Sequence, residues 1–482
     1  MTAVLADPAP ATDADRGSLL TRPPRLVRWA VVAAILVVAL VVRWQFVHVE
    51  TMDYRAFLSR WYDVLDQQGV AAFRSRFADY NYPYLYLIAG LSWLHIPSLI
   101  GIKALSIAAD VVLAFVAARI VALRSANRWT PLGAFALVLF LPSVIANSAW
   151  WGQADGIYTA CVLAGVLFLL KSGRERRRRN AVIACALFGL ALAFKLQAVF
   201  VFPVLAWLVL RRRVPWYALL MIPLVYVALD VPVLIAGAPW REVFSVYLDQ
   251  TDSYRQLTLG AANLYQLIPL SGDVTWVAYA GISAAVVLVV GFLVWSVVRR
   301  PPVTDPSILV VTTASAIVVP FLLPAMHDRY FYAAEVLSVV AAFFLPLRYA
   351  VIPLLVQASA IGVYHSSLTG DQGGMRGGGA GSVGGGGPRP GGAGPDDGFR
   401  PGGSRPSADG GHQAGNGGAG PGRAGGAGSS GYTSGRGDTA LGVYASMMAF
   451  AAAGVVVALR RVVRRQPAAT VSSGASVRAP GA

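Results

Sequence analysis

Apolar runs separated by short polar breaks fill most of the chain. The first, Trp29 to Val42, follows Arg22, Arg25 and Arg28. Others lie near 83–97, 98–122, 130–148, 155–171, 180–194, 197–210, 215–236, 275–298, 306–324, 331–347, 349–366 and 439–459. Each is long enough, or nearly so, to cross about 30 Å of hydrocarbon. The pattern predicts an all-α polytopic membrane protein with about 11–13 transmembrane helices. Arg43, Trp44 and Gln45 stand where a cleavable signal would show small residues, so the first run reads as a retained helix. Its Arg43 is expected to snorkel to the far interface. Between Phe57 and Phe73 the apolar residues Phe57, Leu58, Trp61, Val64 and Leu65 recur at helical spacing. That spacing predicts an amphipathic helix lying on the membrane surface.

The division of the chain follows from the same pattern. Residues 1–25 read as a disordered cytoplasmic tail and 26–366 as a membrane domain. Residues 367–438 are dominated by glycine, with scattered Pro, Ser, Arg and Asp and no apolar periodicity. Such a stretch cannot bury enough surface to offset chain entropy and reads as a flexible linker without chemistry. A C-terminal helix over 439–460 and a cytoplasmic tail over 461–482 complete the chain.

Composition agrees. Of 482 residues 56% are hydrophobic and 13% charged, where soluble chains carry about 25% charged residues. The net charge of +16 would suit nucleic acid, but its placement argues otherwise. More than half of the basic residues cluster at the ends of apolar runs: Arg119/Arg124/Arg128, Lys171 to Arg179, Arg211 to Arg213, Arg299/Arg300, Arg348 and Arg460 to Arg465, besides the first three arginines. By the positive-inside rule these mark the cytoplasmic face. The opposite face then receives residues 48–82, 149–155, 237–274 and 325–330. One parity conflict arises. Two crossings between 83 and 122 would carry Arg124 and Arg128 outside, so either 83–97 is re-entrant or interfacial or a later span is miscounted. Only Lys103, Lys171 and Lys195 are lysine among 40 basic residues, a skew typical of GC-rich bacterial genomes such as those of actinobacteria. Cys161 and Cys185 lie in apolar runs and read as small hydrophobes, not as a disulfide or metal framework.

The outer segments hold the candidate chemistry. Asp53 follows the first helix, and by itself is either a solvated loop carboxylate or a general base at the membrane edge. Asn147 to Gly156 includes Trp151, Gln153 and Asp155: interfacial anchors, or an amide, an acid and aromatic faces suited to a sugar. The loop carrying Tyr247, Asp249, Gln250, Tyr254, Arg255 and Asn263 reads as an ordinary polar loop. In Met326-His327-Asp328-Arg329-Tyr330 the His and Arg could neutralise a phosphate, or Arg329 could merely anchor at the interface. Within apolar runs, Asp110 and Asp230 read as inter-helix polar contacts, while Lys195 and Gln197 fall at an outer turn. No phosphate-cradling glycine loop, zincin helix or nucleophile elbow is present.

Six of these motifs, in order, resemble the GT-C superfamily of membrane glycosyltransferases, and within it the bacterial relatives of the second mannosyltransferase of GPI-anchor synthesis. They are Asp53, Asp79 to Tyr86, Trp151 to Asp155, Phe194 to Gln197, Asn263 to Tyr265 and Met326 to Tyr330. Tyr-Pro-Tyr replaces the usual Tyr-Pro-Pro, and Asp328 stands for Glu. The resemblance implies transfer of a sugar, typically mannose, from a polyprenyl-phosphate donor to a lipid, glycan or protein acceptor outside the plasma membrane of a bacterial cell. It implies Asp53 as base, and Arg329, His327 and Lys195 at the donor phosphate. Asp79, Tyr82, Trp151, Gln153, Asp155, Gln197, Asn263 and Tyr330 would then contact sugar or acceptor. No cofactor is implied, no metal ligands are assigned, and a divalent metal has no support in the sequence. The rival reading is a transporter or lipid flippase for an envelope precursor, which predicts related halves and broken mid-membrane helices; no internal repeat is visible.

Overall fold

A computed structural model describes residues 25–252, 254–370 and 431–464, all but a few of them helical or in connecting turns. Among the described residues, eight helices are long and apolar enough to cross a membrane: Arg25–Trp44, Ser98–Ala122, Asp155–Glu175, Trp216–Ile235, Thr275–Arg299, Asp305–Leu322, Leu347–Thr369 and Thr439–Arg464. A ninth is formed if Trp129–Leu139 and Pro142–Trp151, bent by 49°, count as one span. The fold class is as expected, but 11–13 full spans is too many. Tyr82–Trp93, Leu196–Leu210 and Tyr332–Ala342 are short; at 1.5 Å per residue an 11- or 12-residue helix is roughly 17 Å long. Hydropathy registers that these runs are apolar and misses where they break. Leu141-Pro142 bends one run, and an extended Lys195 (φ −157°, ψ 133°) separates another from its neighbour.

The run at 83–97 is among these short pieces. Its helix stops at Trp93, and His95 at φ +55° and Pro97 turn the chain into the next helix. At 12 residues it is too short to cross alone, and a chain that does not cross there has no parity conflict at Arg124 and Arg128.

The surface helix expected near Phe57 is a π-helical turn over Tyr54–Leu58, an α-helix over Ser59–Gln68 and a 3-10 turn over Gly69–Arg74. Trp61, Leu65, Ala72 and Phe73 pack on Tyr84, Leu85, Ile88 and Leu91, a small core beside the main helical bundle. Burying these side chains stabilises the surface element by roughly 1.5–3 kcal/mol each.

Arg43 does not snorkel. It is buried, and its Nη2 and Nε donate to Asp110 Oδ2 at 2.8 and 3.1 Å, while Nη2 also reaches the Leu139 carbonyl at 2.9 Å. Ser148 Oγ donates to the same carboxylate oxygen at 2.6 Å. The pair is favoured because both charges would otherwise face hydrocarbon alone. Asp110 is thus the expected inter-helix contact. Asp230 is equally buried, but neither carboxylate oxygen has a hydrogen-bond partner among the described residues. Arg43→Met is expected to cost about 3–5 kcal/mol by stranding Asp110, and Arg43→Met/Asp110→Leu to recover most of it. Thermal melting of the detergent-solubilised variants reads both.

The C-terminal helix is packed into the bundle. Leu441, Ala445, Met448, Ala451, Val455 and Ala458 form one buried stripe. A Cβ on Gly362 would meet the Tyr444 ring at 2.3 Å, so that glycine permits the close approach. The flexible linker expected over 367–438 lies, for residues 371–430, outside the described residues. Its ends are structured: a helix runs through Thr369, and Gly431–Asp438 lies against the long loop after Trp240–Asp252. The tails over 1–24 and 465–482 also fall outside the described residues.

Candidate functional site

Residues scattered over the four polar segments line one open pocket of about 580 Å³. Asp53, Phe57 and Trp61 come from the surface element and Asp79 and Tyr80 from the turn before Tyr82–Trp93. Gln153, Lys195 and Gln197 come from bundle turns, Gln250 and Tyr254 from the long loop, and His327, Arg329 and Tyr330 from the segment after Asp305–Leu322.

The helix beginning at Pro142 ends in a π-helical turn over Ala146–Trp151, closed by Gly152 at φ +78°. The left-handed turn lets Trp151 and Gln153 address the same group. Trp151 Nε1 and Gln153 Nε2 donate to Asp53 Oδ2 at 3.1 and 2.8 Å, and Arg329 Nη1 donates to that oxygen at 3.1 Å. Asp53 Oδ1 has no partner among the described residues. A buried Lys103 holds the chain just before Asp53, donating to the Phe46 and Val49 carbonyls at 2.7 and 2.5 Å. A Cβ at position 152 would stand 3.3 Å from the Lys103 side chain, so glycine serves both the turn and the packing.

A second carboxylate lies behind the first. Asp155 is fully buried at the start of Asp155–Glu175, where the helix dipole favours an anion. Lys195 Nζ contacts its Oδ1 at 2.5 Å, Asn147 Nδ2 donates to Oδ2 at 3.0 Å, and Arg329 Nε stands 3.9 Å away. Arg329 also lies 5.4 Å above the Trp151 ring and 3.7 Å from Asp328. Burial opposes the guanidinium charge, but Asp53, Tyr80, Asp328 and Asp155 outweigh it and hold its pKa above the usual range. Arg329 Nε is buried and has no hydrogen-bond partner among the described residues, and the same is true of Gln197 Oε1.

His327 lines the pocket beside Arg329. Burial, reinforced by Arg329 and Lys195, pushes its pKa down to about 3. Its ring packs between Tyr254 and Tyr330, at 4.7 and 5.1 Å between centroids. The unfolded chain takes up a proton below about pH 6.5 that the folded one refuses. Stability should therefore fall as pH drops from that value, and His327→Gln should flatten the slope of melting temperature against pH there.

Of the candidates from sequence, Asp53, Asp79, Gln153, Lys195, Gln197, His327, Arg329 and Tyr330 line the pocket. Asp79 sits at its rim, with a side chain 65% exposed and Arg76 at 3.9 Å. Trp151 and Asp155 stand behind the wall as supports. Tyr82 is buried against Phe73, away from the pocket, and Asn263 is buried in the long loop, its Nδ2 donating to the Leu257 carbonyl at 3.4 Å. Phe57, Trp61, Tyr80, Gln250 and Tyr254 belong to the lining but were not singled out from sequence. Tyr80 was nearest to legible, lying inside the Asp79–Tyr86 motif; its hydroxyl donates to Gln153 Oε1 at 3.4 Å. Among the described residues, no group of three or more His, Cys, Asp or Glu side chains is arranged to hold a metal ion.

Below this pocket lies a mostly apolar cavity of about 890 Å³, walled by Leu196, Val199, Phe200, Ile282, Leu323 and Met326 among others. The two share Gln197, Gln250, Tyr254 and Tyr330.

Carboxylates, cations and aromatic faces are thus gathered in one pocket of a polytopic helical bundle, beside a mostly apolar cavity. The chain belongs to glycosyltransferase family 87, whose family model matches residues 77–324. It is accordingly a glycosyltransferase of the membrane, and the transporter alternative gains nothing from the match. The matched segment holds Asp79, Gln153, Lys195 and Tyr254; Asp53 and Arg329 lie beyond its two ends. No curated protein and no solved structure matches the chain.

Proposed function

We propose that the protein transfers a sugar, mannose in the first instance, from a polyprenyl-phosphate donor to an extracytoplasmic lipid, glycan or protein acceptor, with Asp53 as general base. The observation that carries this reading is the juxtaposition of Asp53 and Arg329 in one pocket, 3.1 Å apart, above an apolar cavity. A prenyl-phosphate sugar has the matching order of parts: apolar chain, anionic link, hydroxyl-rich head.

In this mechanism Asp53 Oδ2 is held by Trp151, Gln153 and Arg329, and Oδ1 receives the proton of the acceptor hydroxyl. The acceptor oxygen then forms a bond to the anomeric carbon while the bond from that carbon to the phosphate oxygen breaks. The electron pair leaves with the prenyl phosphate, whose charge Arg329 and Lys195 offset. Such groups are effective because they are fixed before charge develops and work where water is sparse. Gln197, Tyr80 and Trp61 offer an acceptor, a hydroxyl and an aromatic face to the sugar.

The fold supports an extracytoplasmic site. With Tyr82–Trp93 removed as a crossing, Arg25–Trp44 and Ser98–Ala122 return Arg124 and Arg128 to the side of Arg28. The pocket residues belong to segments on the other side.

The test is transfer by the purified full chain, in detergent or nanodiscs, from labelled polyprenyl-phosphate mannose to a membrane extract. Labelled product is the expected result. Transfer from a nucleotide sugar alone, with every prenyl-phosphate sugar inert, would overturn the donor assignment.

A further inference from the structure

We propose that Gly431–Gly437, the end of the glycine-rich stretch, forms a fixed wall of the apolar cavity, and that Tyr432 contacts the isoprenoid chain of the donor. The inference rests on the prenyl-phosphate reading above and adds a residue that composition assigns to a linker.

The strap is hydrogen-bonded along its length. Tyr432 N donates to Thr275 Oγ1 at 2.8 Å and Val274 N donates to the Tyr432 carbonyl at 2.9 Å. Thr433 N donates to the Arg255 carbonyl and Leu257 N to the Thr433 carbonyl, both at 2.9 Å. Farther on, Gly437 N donates to Gln266 Oε1 at 3.0 Å, and Arg436 Nε to the Gln266 carbonyl at 3.0 Å. Thr433 is thereby bridged in parallel to Gln256. Immediately after it, β1 (Thr258–Leu259) pairs in parallel with β2 (Met326–His327). One strand thus separates the strap from the segment that carries His327 and Arg329.

The glycines are used for closeness. Gly435 has φ +64°, and a Cβ there would stand 2.2 Å from the Thr258 carbonyl oxygen. A Cβ on Gly431 would stand 2.4 Å from Asp273 Oδ1. Any other residue at position 435 would push the strap off the loop, and one at 431 would have to displace the Asp273 carboxylate.

Tyr432 packs against the cluster of Leu257, Tyr265, Val274, Val277 and Ala278, with Arg255 5.7 Å from its ring centre. It also lines the apolar cavity, together with Leu196, Phe200 and Ile282. That cavity is too apolar for a sugar or a phosphate, and it shares Gln197, Gln250, Tyr254 and Tyr330 with the pocket holding Arg329 and Lys195. Its occupant is therefore the chain of a molecule whose anionic end lies at those cations.

A photoreactive phenylalanine analogue replaces Tyr432 in the full chain, and separately Ile282 of the same cavity. Each protein, in nanodiscs, is irradiated with a labelled long-chain polyprenyl phosphate. Labelling at both positions, competed by unlabelled polyprenyl phosphate and not by phosphatidylglycerol, is the expected result. Labelling at 282 without 432 would overturn the strap and leave the donor reading standing. Competition by phosphatidylglycerol would make the occupant an acyl lipid, and labelling at neither position would remove the chain from this cavity; both overturn the proposal. In kinetics, Tyr432→Ala should raise KM for the donor roughly tenfold at unchanged kcat, as lost apolar contact requires. Tyr432→Phe should restore it. A purely structural tyrosine would instead lower kcat and melting temperature together.

Discussion

Asp53→Asn is expected to lower kcat for sugar transfer by about 10²–10⁴-fold, the range a positioned general base supplies. The substitution is nearly isosteric, and the side-chain oxygen can still accept from Trp151 Nε1 and Gln153 Nε2. What is lost is the ability to take a proton and the ion pair with Arg329. Donor binding should therefore survive, since the phosphate cations remain, and the loss should fall on kcat. The assay is single-turnover transfer with the donor prebound. A well-folded variant transferring at the wild-type rate would remove Asp53 from the chemistry.

Arg329→Lys carries the second large effect. The guanidinium contacts Asp53 with Nη1, stacks on Trp151 and leaves Nε unmet in the pocket. An ammonium has the charge but not this planar fork. Loss of one fixed donor to a developing anion costs about 10²–10³ in rate, and that loss is expected here. Arg329→Met should behave differently. It leaves Asp155 and Asp328 buried beside Lys195 alone, so the fold itself should weaken, by about 3–5 kcal/mol for a broken buried pair. Comparing melting temperatures with rates separates the two: lysine should spare the fold and slow transfer, methionine should damage both. Equal rates in Arg329→Lys and wild type would move the phosphate contact elsewhere.

The charged residues of the pocket were legible because the chain has so few charges to spare. In a sequence 13% charged, Asp53, Lys195 and Arg329 stand out against apolar neighbours, and Lys195 lies within the segment that the family model matches. Their division of labour was not legible. Asp155 and Asp53 look alike in sequence, yet one is fully buried under Lys195 and the other opens on the pocket. Which acid faces solvent depends on the Gly152 turn, and that in turn on packing against Lys103. Span counting failed for a similar reason: apolar composition persists across Lys195 and Pro142, where the backbone leaves the helix. The strap was hidden by its composition. Thr433 pairs with Arg255, 178 residues away, and no local periodicity announces a partner at that distance.

The Arg43–Asp110 pair also bears on how the protein is made. The two residues lie 67 positions apart, so during synthesis the first helix reaches the bilayer well before its counter-charge exists. In that interval Arg43 must borrow water and lipid headgroups at the edge of the membrane. Arrival of Ser98–Ala122 then draws it inward, along with Ser148 and the turn that presents Trp151 and Gln153. The buried pair therefore requires that the later helices have assembled around the first.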